Sequence, residues 1–243
     1  MAVERIRGGV LENVFWKLKR YRSIQTTVEI ENCAGTYRLV VPDGTPFVEK
    51  YDSAGEYEPV LERELKERLS VLDDPSYYDI GSRWGYFTKF SCLVASPSST
   101  HGFDANPLWF AFLQQTHEFD LPEISLTNAY VSSESGDDTI SIDEYRLEHN
   151  SPDIVKIDIE GGEYEALEGM RATLDDVHPD LFVEIHPAYL RDRGNSAAGV
   201  FELLCEAGYE LQVATNHRTK DDVWSPLSEV ELPSDGDYLV LAE

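Results

Sequence analysis

Residues 77–87 read YYDIGSRWGYF, an apolar strand pattern that runs into two spaced glycines and then into a helical pattern. Glycine lets a backbone turn tightly and approach a ligand closely, and the start of a helix offers free N–H groups. The spacing from Gly81 to Gly85 is Gly-x-x-x-Gly, which differs from the Gly-x-Gly-x-x-Gly of dinucleotide-binding proteins. The stretch predicts a strand, loop and helix at a ligand-binding sheet edge, and it disfavours an NAD enzyme.

Short apolar runs continue to alternate with helical patterns after this stretch. Such alternation is typical of an α/β protein with a mostly parallel sheet that helices cover on both faces. Ligands of these sheets bind outside the carboxyl ends of the strands. We predict helices over 85–94, 106–117, 163–174 and 197–207, and strands over 77–81, 99–104, 123–131, 153–159, 180–186, 209–215 and 237–242.

Three further patterns precede residue 76. Residues 26–32 and 36–41 alternate in polarity around a turn, which predicts a β-hairpin, and residues 58–72 predict an amphipathic helix. Residues 1–25 are basic and carry apolar residues at helical spacing. They predict a helix that packs on its own domain, on a second subunit of a homo-oligomer or on a membrane surface. We therefore divide the chain into an N-terminal extension, 1–56, and a ligand-binding domain, 57–243.

The net charge of the chain limits the kinds of molecule that it is expected to bind. Forty-six acidic residues against twenty Lys and Arg give a formal net charge of −26. A surface this acidic repels phosphate backbones, so nucleic acid is not an expected partner. Such a surface suits concentrated salt, where screening removes most of the self-repulsion. The composition therefore predicts a halophilic protein.

Salt dependence tests this prediction directly. We expect the melting temperature to fall as KCl is lowered from molar to ~10 mM, because the Debye length grows from about 3 to about 30 Å. Thermal unfolding at a series of KCl concentrations measures the effect. A melting temperature that stays constant across the series would contradict the prediction.

Cysteine content and hydropathy indicate in which cellular compartment the protein is expected. The three cysteines fall at unrelated spacings, which supports neither a disulfide framework nor a zinc site and favours a reducing cytoplasm. No apolar run approaches the ~20 residues of a membrane span. We therefore expect a cytoplasmic protein.

Acidic residues end two consecutive predicted strands. Asp79 ends the first, and Asp104 ends the second. A carboxylate at the second position suits a ribose diol, because it can accept a hydrogen bond from each hydroxyl. The alternative role for Asp104 is a helix N-cap ahead of Pro107, and we favour the ribose.

Charged side chains also end two strands that are otherwise apolar. Lys156, Asp158 and Glu160 share one side of strand 153–159. Burying these charges is costly unless they form ion pairs or take part in catalysis. An internal Lys–carboxylate network and a catalytic acid or base are both compatible with this pattern. In the next strand Glu184 and His186 share one side, and His186 is a candidate base beside Asp158.

The chain resembles the FkbM-type S-adenosylmethionine-dependent methyltransferases in the ordered segments DIGSRWGYF, GFDANP, NAYVS, IVKIDIEGGEYEALEGM, LFVEIHP and LLCEAGYEL, over about residues 57–215. KIDIEGGEYEALEGM followed by VEIHP is the most specific part. The resemblance implies a class I methyltransferase (Rossmann-like) fold, with a seven-stranded, mostly parallel sheet whose last strand is antiparallel. It also implies S-adenosyl-L-methionine as cofactor and O-methylation, commonly of a sugar or natural-product hydroxyl; a uronate carboxyl is the other acceptor that we consider.

The resemblance further implies roles for individual residues. Asp79, Gly81 and Gly85 would form the loop on the methionine side, and Asp104 would hold the ribose. Asn128 and Ala129 would lie near the adenine, while Asp158, Glu160 and His186 would face the transfer site. Arg83 departs from the Asn that is usual in the family, and its guanidinium would repel a sulfonium unless it pointed away.

The sequence says less about the methyl acceptor and about alternative functions than it says about the fold. We expect Arg191, Arg218 and Lys220, which follow the predicted strands 180–186 and 209–215, to bind an anionic acceptor; ordinary surface ion pairs are the alternative. Asp158, Glu160 and His186 could ligate a metal, but no compact ligand motif demands one and none is predicted. Arg83 and a short segment 133–151 leave one alternative function, a catalytically inactive cofactor-binding scaffold or subunit partner.

Overall fold

A computed structural model of the chain describes residues 25–45, 57–95, 99–118 and 124–243. The predicted N-terminal helix lies outside these ranges, apart from its last position, and the extension 1–56 stays a prediction. No helix in the described ranges is long and apolar enough to cross a membrane.

The predicted hairpin is confirmed. Strand β1 (Gln25–Asn32) pairs antiparallel with β2 (Gly35–Pro42) through a two-residue turn. Ile30, Leu39 and Val41 are fully buried against one face of the main sheet. The hairpin is also tied to that face by a hydrogen bond from the Val40 amide to Thr116 Oγ1 at 3.0 Å.

In the described ranges the main sheet has eight strands, which are β3 Ser76–Ile80, β4 Ser99–Phe103, β5 Ile124–Thr127, β8 Ile154–Ile157, β9 Asp180–Ile185, β10 Leu211–Ala214, β11 Ser225–Pro226 and β12 Tyr238–Ala242. Their order across the sheet is β11-β10-β12-β9-β8-β3-β4-β5. Strands β5, β4, β3, β8 and β9 run parallel, and β12 lies antiparallel between β9 and β10. The expected mostly parallel sheet with an antiparallel last strand is therefore confirmed. The described sheet has one strand more than the seven expected. The additional strand is β11, a two-residue segment at the edge of the sheet.

Helices cover both faces of this sheet, because each buries an apolar stripe against it. Leu61, Leu65 and Phe90 pack with the hairpin on one face, while Leu167, Val200 and Leu204 pack on the other. The helices are α1 Pro59–Val71, α2 Tyr86–Val94, α3 Pro107–His117, α4 Ile142–Tyr145, α5 Glu163–Glu168, α6 Arg171–Asp176, α7 Pro187–Asp192 and α8 Ala197–Glu206, with a 3₁₀ turn at Leu227–Glu229.

Tertiary contacts interrupt two of the predicted elements. The predicted helix 163–174 breaks between α5 and α6 at Gly169, whose carbonyl accepts from the Asp143 amide. A Cβ at Gly169 would lie 1.9 Å from the carbonyl oxygen of Ser132, so the passing chain requires glycine there. The predicted strand 123–131 divides into β5 and a short β6 (Tyr130–Val131), which leaves the main sheet and pairs with β7 (Thr139–Ile140).

The charged strand 153–159 ends earlier than its alternation predicts. Strand β8 stops at Ile157, and Glu160 lies in a turn with a φ of 46°. The shared-side argument for Lys156, Asp158 and Glu160 is therefore wrong for Glu160, since side chains alternate only while the strand lasts. Glu160 is solvent-exposed at the rim of the sheet.

Candidate active site

A cavity of about 410 Å³ opens at the carboxyl ends of β3, β4 and β8. Parallel strands deliver their last residues to one edge, which is the position expected for a ligand site in this type of sheet. The cavity brings together several residues that the sequence singles out. They are Asp79, Gly81, Asp104, Ala129, Asp158 and Glu160.

The bend after β3 is fixed around Gly81. Its φ is +87°, in the left-handed region that favours glycine, and its amide donates to the Phe103 carbonyl at 2.9 Å. A Cβ on this residue would lie 1.8 Å from the carbonyl oxygen of Asp158. The strand end and the loop after β8 can approach this closely only because position 81 has no side chain.

Asp104 presents its carboxylate to the cavity in a fixed orientation. Oδ2 accepts from the Arg83 amide and Oδ1 from the Asn106 amide, each at 2.8 Å. The Asn128 side chain donates to the backbone carbonyl of Asp104 at 2.7 Å. Burial raises the pKa of Asp104 to about 6, although the two backbone hydrogen bonds oppose this rise. Each oxygen retains a lone pair for a donor in the cavity.

Aromatic rings form much of the remaining wall. Tyr57, Trp84, Trp109 and Tyr130 line the cavity and were not predicted, because a large aromatic side chain is ordinarily interpreted as a core residue. The Arg83 guanidinium lies over the Trp84 ring at 4.1 Å and 5.5 Å from the Trp109 ring. The Arg83 guanidinium therefore makes a cation–π contact with the tryptophan side of the cavity.

A buried ion-pair chain forms part of the cavity floor, since Asp79, Lys156 and Asp158 all line the cavity. Lys156 Nζ is 3.3 Å from Asp79 Oδ1 and 3.7 Å from Asp158 Oδ2. The second oxygen of Asp79 accepts from Thr88 Oγ1 at 2.6 Å, so this carboxylate is occupied within the protein. Burial lowers the pKa of Lys156, but the charges of Asp79 and Asp158 outweigh it and the pKa is raised. The internal network expected for Lys156 is therefore present.

His186 stands behind Asp158 at the end of β9. Its Nδ1 lies 2.6 Å from Glu163 Oε1, and its Nε2 lies 3.7 Å from Asp158 Oδ1. Burial lowers the pKa of His186, but the hydrogen bond to Glu163 and the charge of Asp158 outweigh it and raise the pKa to about 9. Burial and the charge of Glu184 raise the pKa of Asp158, while Lys156 opposes the rise. Among Asp158, Glu163, Glu184 and His186, only Asp158 lines the cavity, and 29% of its side chain is exposed.

A second buried cluster lies next to His186 and was not predicted as a unit. Glu184 on β9 contacts Arg218, and its Oε1 is 3.6 Å from His217 Nε2. Burial opposes ionisation of Glu184, but His217 and Arg218 outweigh it and lower its pKa to about 2. Glu58 is also buried here, and desolvation together with the charge of Glu184 raises its pKa to about 8. Two groups could hold a metal ion, Glu58–Glu184–His217 and Asp158–Glu184–His186.

Other predicted site residues lie away from the cavity. Gly85, with a φ of +91°, faces α3, where a Cβ would lie 2.8 Å from Leu113 Cδ1. Asn128 and His186 stand behind residues that line the cavity. Arg191 pairs with Asp235 at the surface, Arg218 pairs with Glu184, and Lys220 borders a separate surface groove near Arg63. An acceptor-binding role for Arg191, Arg218 and Lys220 stays a prediction.

The family model for the methyltransferase FkbM domain matches residues 17–211. The chain belongs to the FkbM methyltransferase family. The family predicted from the ordered motifs is therefore confirmed, and so is the prediction that the chain is a methyltransferase.

Two solved structures share the fold of this FkbM-family chain. A methyltransferase FkbM from Methylobacillus flagellatus KT has a TM-score of 0.50 at 16% identity, over 76% of this chain and 50% of that chain. A precorrin-6y C5,15-methyltransferase from Geobacter metallireducens GS-15 has a TM-score of 0.50 at 16% identity, over 75% and 87% of the two chains. These similarities show the class I methyltransferase fold.

One relative gives a more specific comparison. Hexuronic acid methyltransferase AglP from Haloferax volcanii is 27% identical to the FkbM-family chain over 177 residues. The alignment covers 62% of this chain and 70% of AglP.

Proposed function

We propose that this FkbM-family protein transfers a methyl group from S-adenosyl-L-methionine to an oxygen atom of a sugar, either a hydroxyl or a uronate carboxyl. The observation that carries the proposal is the cavity in which the Gly81 bend and the Asp104 carboxylate lie at one side and Asp158 at another. The similarity to a hexuronic acid methyltransferase supports a sugar acceptor. The fold supports the cofactor.

The residues around the cavity fit this cofactor. The Gly81 bend lines the cavity on the side proposed for the methionine chain, and glycine is required there because a Cβ would meet the Asp158 carbonyl. Asp104 has a free lone pair on each oxygen for the two ribose hydroxyls. The cofactor supplies an electrophilic methyl group on a sulfonium. The carboxylates of Asp104, Asp158 and Glu160 favour binding of that positive charge, and Arg83 contacts Trp84 instead.

Asp158 is the base that this proposal assigns for a hydroxyl acceptor. A sugar hydroxyl is a poor nucleophile while protonated, and a carboxylate within hydrogen-bond distance can take its proton. Lys156 and His186 each lie 3.7 Å from one oxygen of Asp158, and they hold the carboxylate towards the cavity. Glu160 at the rim adds negative charge beside the acceptor entrance. A uronate carboxyl is already ionised and requires alignment rather than a base.

An acceptor panel tests the proposed function. The purified protein in concentrated KCl is mixed with S-adenosylmethionine and either a glucuronoside or the matching glucoside, and methylated product is measured by mass spectrometry. We expect S-adenosylhomocysteine, the demethylated product of the cofactor, to bind in calorimetry and one of the two sugars to be methylated. Absence of binding would refute the proposed cofactor. Binding without product on any sugar would favour the inactive-scaffold alternative.

Asp104 gives this site a predictable pH dependence. Its pKa of about 6 exceeds the ordinary value of 3.8, so the carboxylate becomes protonated as the pH falls through about 6. We expect the dissociation constant for S-adenosylhomocysteine to rise by up to about tenfold between pH 7 and pH 5, because about a tenth of the sites then stay ionised. Calorimetry at constant KCl measures this change.

The matched variant is Asp104→Asn, which should bind more weakly at every pH and show no step near pH 6. Acid unfolding from Asp104 itself is not expected, because a raised carboxyl pKa in the folded state means that protonation stabilises the fold. The melting temperature is recorded at each pH to verify this. An unchanged dissociation constant from pH 7 to pH 5 would contradict the assignment of Asp104 to the ribose.

A further inference from the structure

Three chain segments meet in a buried cluster that the methyl-transfer proposal does not use. Glu58 precedes α1, Glu184 lies on β9, and His217 follows β10, with 1%, 1% and 2% of their surfaces exposed. One ligand atom from each residue lies within 4.8 Å of the other two. The Val60 amide donates to the His217 carbonyl at 3.4 Å, which holds the loop after β10 against the start of α1.

The cluster contains polar atoms that lack a hydrogen-bond partner in the described part of the chain. Both ring nitrogens of His217 and Oε2 of Glu58 are buried and make no hydrogen bond there. Buried polar groups are ordinarily satisfied, and each exception requires an explanation. His217 Nε2 points towards Glu184 Oε1 but stays 3.6 Å away, which is too long for a hydrogen bond.

The separation of these two atoms fits a metal ion between them. With metal–ligand distances of about 2.0–2.2 Å and tetrahedral angles, two ligand atoms lie about 3.3–3.6 Å apart. An imidazole together with carboxylates suits zinc and similar transition metals, whereas magnesium prefers an all-oxygen site. The cluster has the donor set for the first class of ion.

Arg218 offers a competing explanation, because its guanidinium already contacts Glu184 Oε1. This contact compensates the charge of Glu184 and uses one lone pair of Oε1, which leaves the second lone pair of that oxygen for the ion. It does not reach the unpartnered atoms of Glu58 or His217. A cation bound by all three residues would satisfy one nitrogen of His217 and Oε2 of Glu58 at once.

We propose that Glu58, Glu184 and His217 bind one divalent transition-metal ion of the zinc or cobalt type. The ion joins the start of α1, strand β9 and the loop after β10. Tyr57, which lines the cofactor cavity, directly precedes one of the ligands. The ion therefore anchors that part of the cavity wall to the sheet.

Cobalt binding tests the site without any methyl transfer. The full-length protein is treated with a chelator, freed of it by dialysis in concentrated KCl, and titrated with CoCl₂ while visible absorption is recorded. We expect one equivalent of Co²⁺ with ligand-field bands, and a rise in melting temperature with ZnCl₂ that MgCl₂ at the same concentration does not reproduce. S-adenosylhomocysteine binding is measured separately, so failure of the metal site and failure of the proposed function are distinguishable.

Two variants and one control make the assignment specific. Glu58→Gln keeps the shape of the side chain, so it should fold, and His217→Asn removes the imidazole. Both should weaken Co²⁺ binding at least tenfold. His178→Asn is the control, because His178 stacks on Tyr209 at 4.0 Å and Asn tolerates its positive φ. It should bind Co²⁺ like the parent protein.

Three results would overturn the proposal. The first is a chelator-treated parent protein that binds neither Co²⁺ nor Zn²⁺. The second is unchanged Co²⁺ affinity in Glu58→Gln and His217→Asn. The third is loss of binding in Asp158→Asn but not in Glu58→Gln, which would place the ion at the neighbouring Asp158–Glu184–His186 group.

Discussion

The Asp158→Asn variant should lose about 10²–10⁴-fold in kcat on a hydroxyl acceptor, while its dissociation constant for S-adenosylhomocysteine stays within about twofold. The amide keeps the size of the side chain but cannot accept the proton of a hydroxyl. The ion-pair chain from Asp79 through Lys156 stays in place, since Lys156 retains its contact with Asp79 at 3.3 Å. Single-turnover rates and calorimetry on the same preparation measure the two effects.

The outcome also distinguishes the two acceptor classes in the proposed function. A uronate carboxyl is ionised at neutral pH, so its methylation should fall much less, within about tenfold, in Asp158→Asn. Asp137→Asn, an exposed change in the loop before β7, is the control and should match the parent protein on both acceptors. If Asp158→Asn methylated a neutral sugar at the parental rate, Asp158 would not be the base.

Replacement of Gly81 by Ala should have the largest structural effect. A Cβ at this position would lie 1.8 Å from the carbonyl oxygen of Asp158, and the φ of +87° is unfavourable for alanine. The amides of residues 81 and 82 both donate to the Phe103 carbonyl at 2.9 Å, so the bend cannot shift without breaking these hydrogen bonds. We expect the free energy of unfolding to fall by about 4 kcal/mol or more, with at least tenfold weaker S-adenosylhomocysteine binding.

Gly194→Ala separates backbone strain from the steric clash. Gly194 has a similar φ of +83°, but a Cβ there would meet no atom within 4 Å. Only the left-handed conformation should cost stability in this variant, about 1–2 kcal/mol. Urea denaturation of both variants gives the comparison, and equal losses would show that the close approach at Gly81 is not required.

Several elements of the fold followed from the sequence because their cause is local. The strand, glycine bend and helix at 76–94, the hairpin and helix α1 depend on periodicity and turn residues within a few positions. Contacts from distant segments interrupted two other elements, the predicted helix 163–174 and the predicted strand 123–131. Gly169 ends α5 because the chain at Ser132 passes within contact distance of it.

The candidate site, like the fold, was predicted in part from the sequence. Asp79, Gly81, Asp104 and Asp158 were singled out because each ends a strand or directly follows one, and parallel strands carry such residues to one edge. Tyr57 and Tyr130 on the cavity wall had no comparable signal, since their sequence neighbourhoods are not strand ends of the main sheet. Arg218 stood out as a cation, but the sequence did not reveal Glu184 as its partner.

The sequence by itself determined the family, the class of sheet and the edge at which charge collects, because these depend on local pattern and strand direction. Only the tertiary structure decided which charges meet. Glu58, Glu184 and His217 are far apart along the chain, and they become neighbours because β12 inserts between β9 and β10 and the loop after β10 returns to α1. Burial then shifts the pKa values of Asp104 and Glu58, and burial is a property of the folded chain rather than of any short segment.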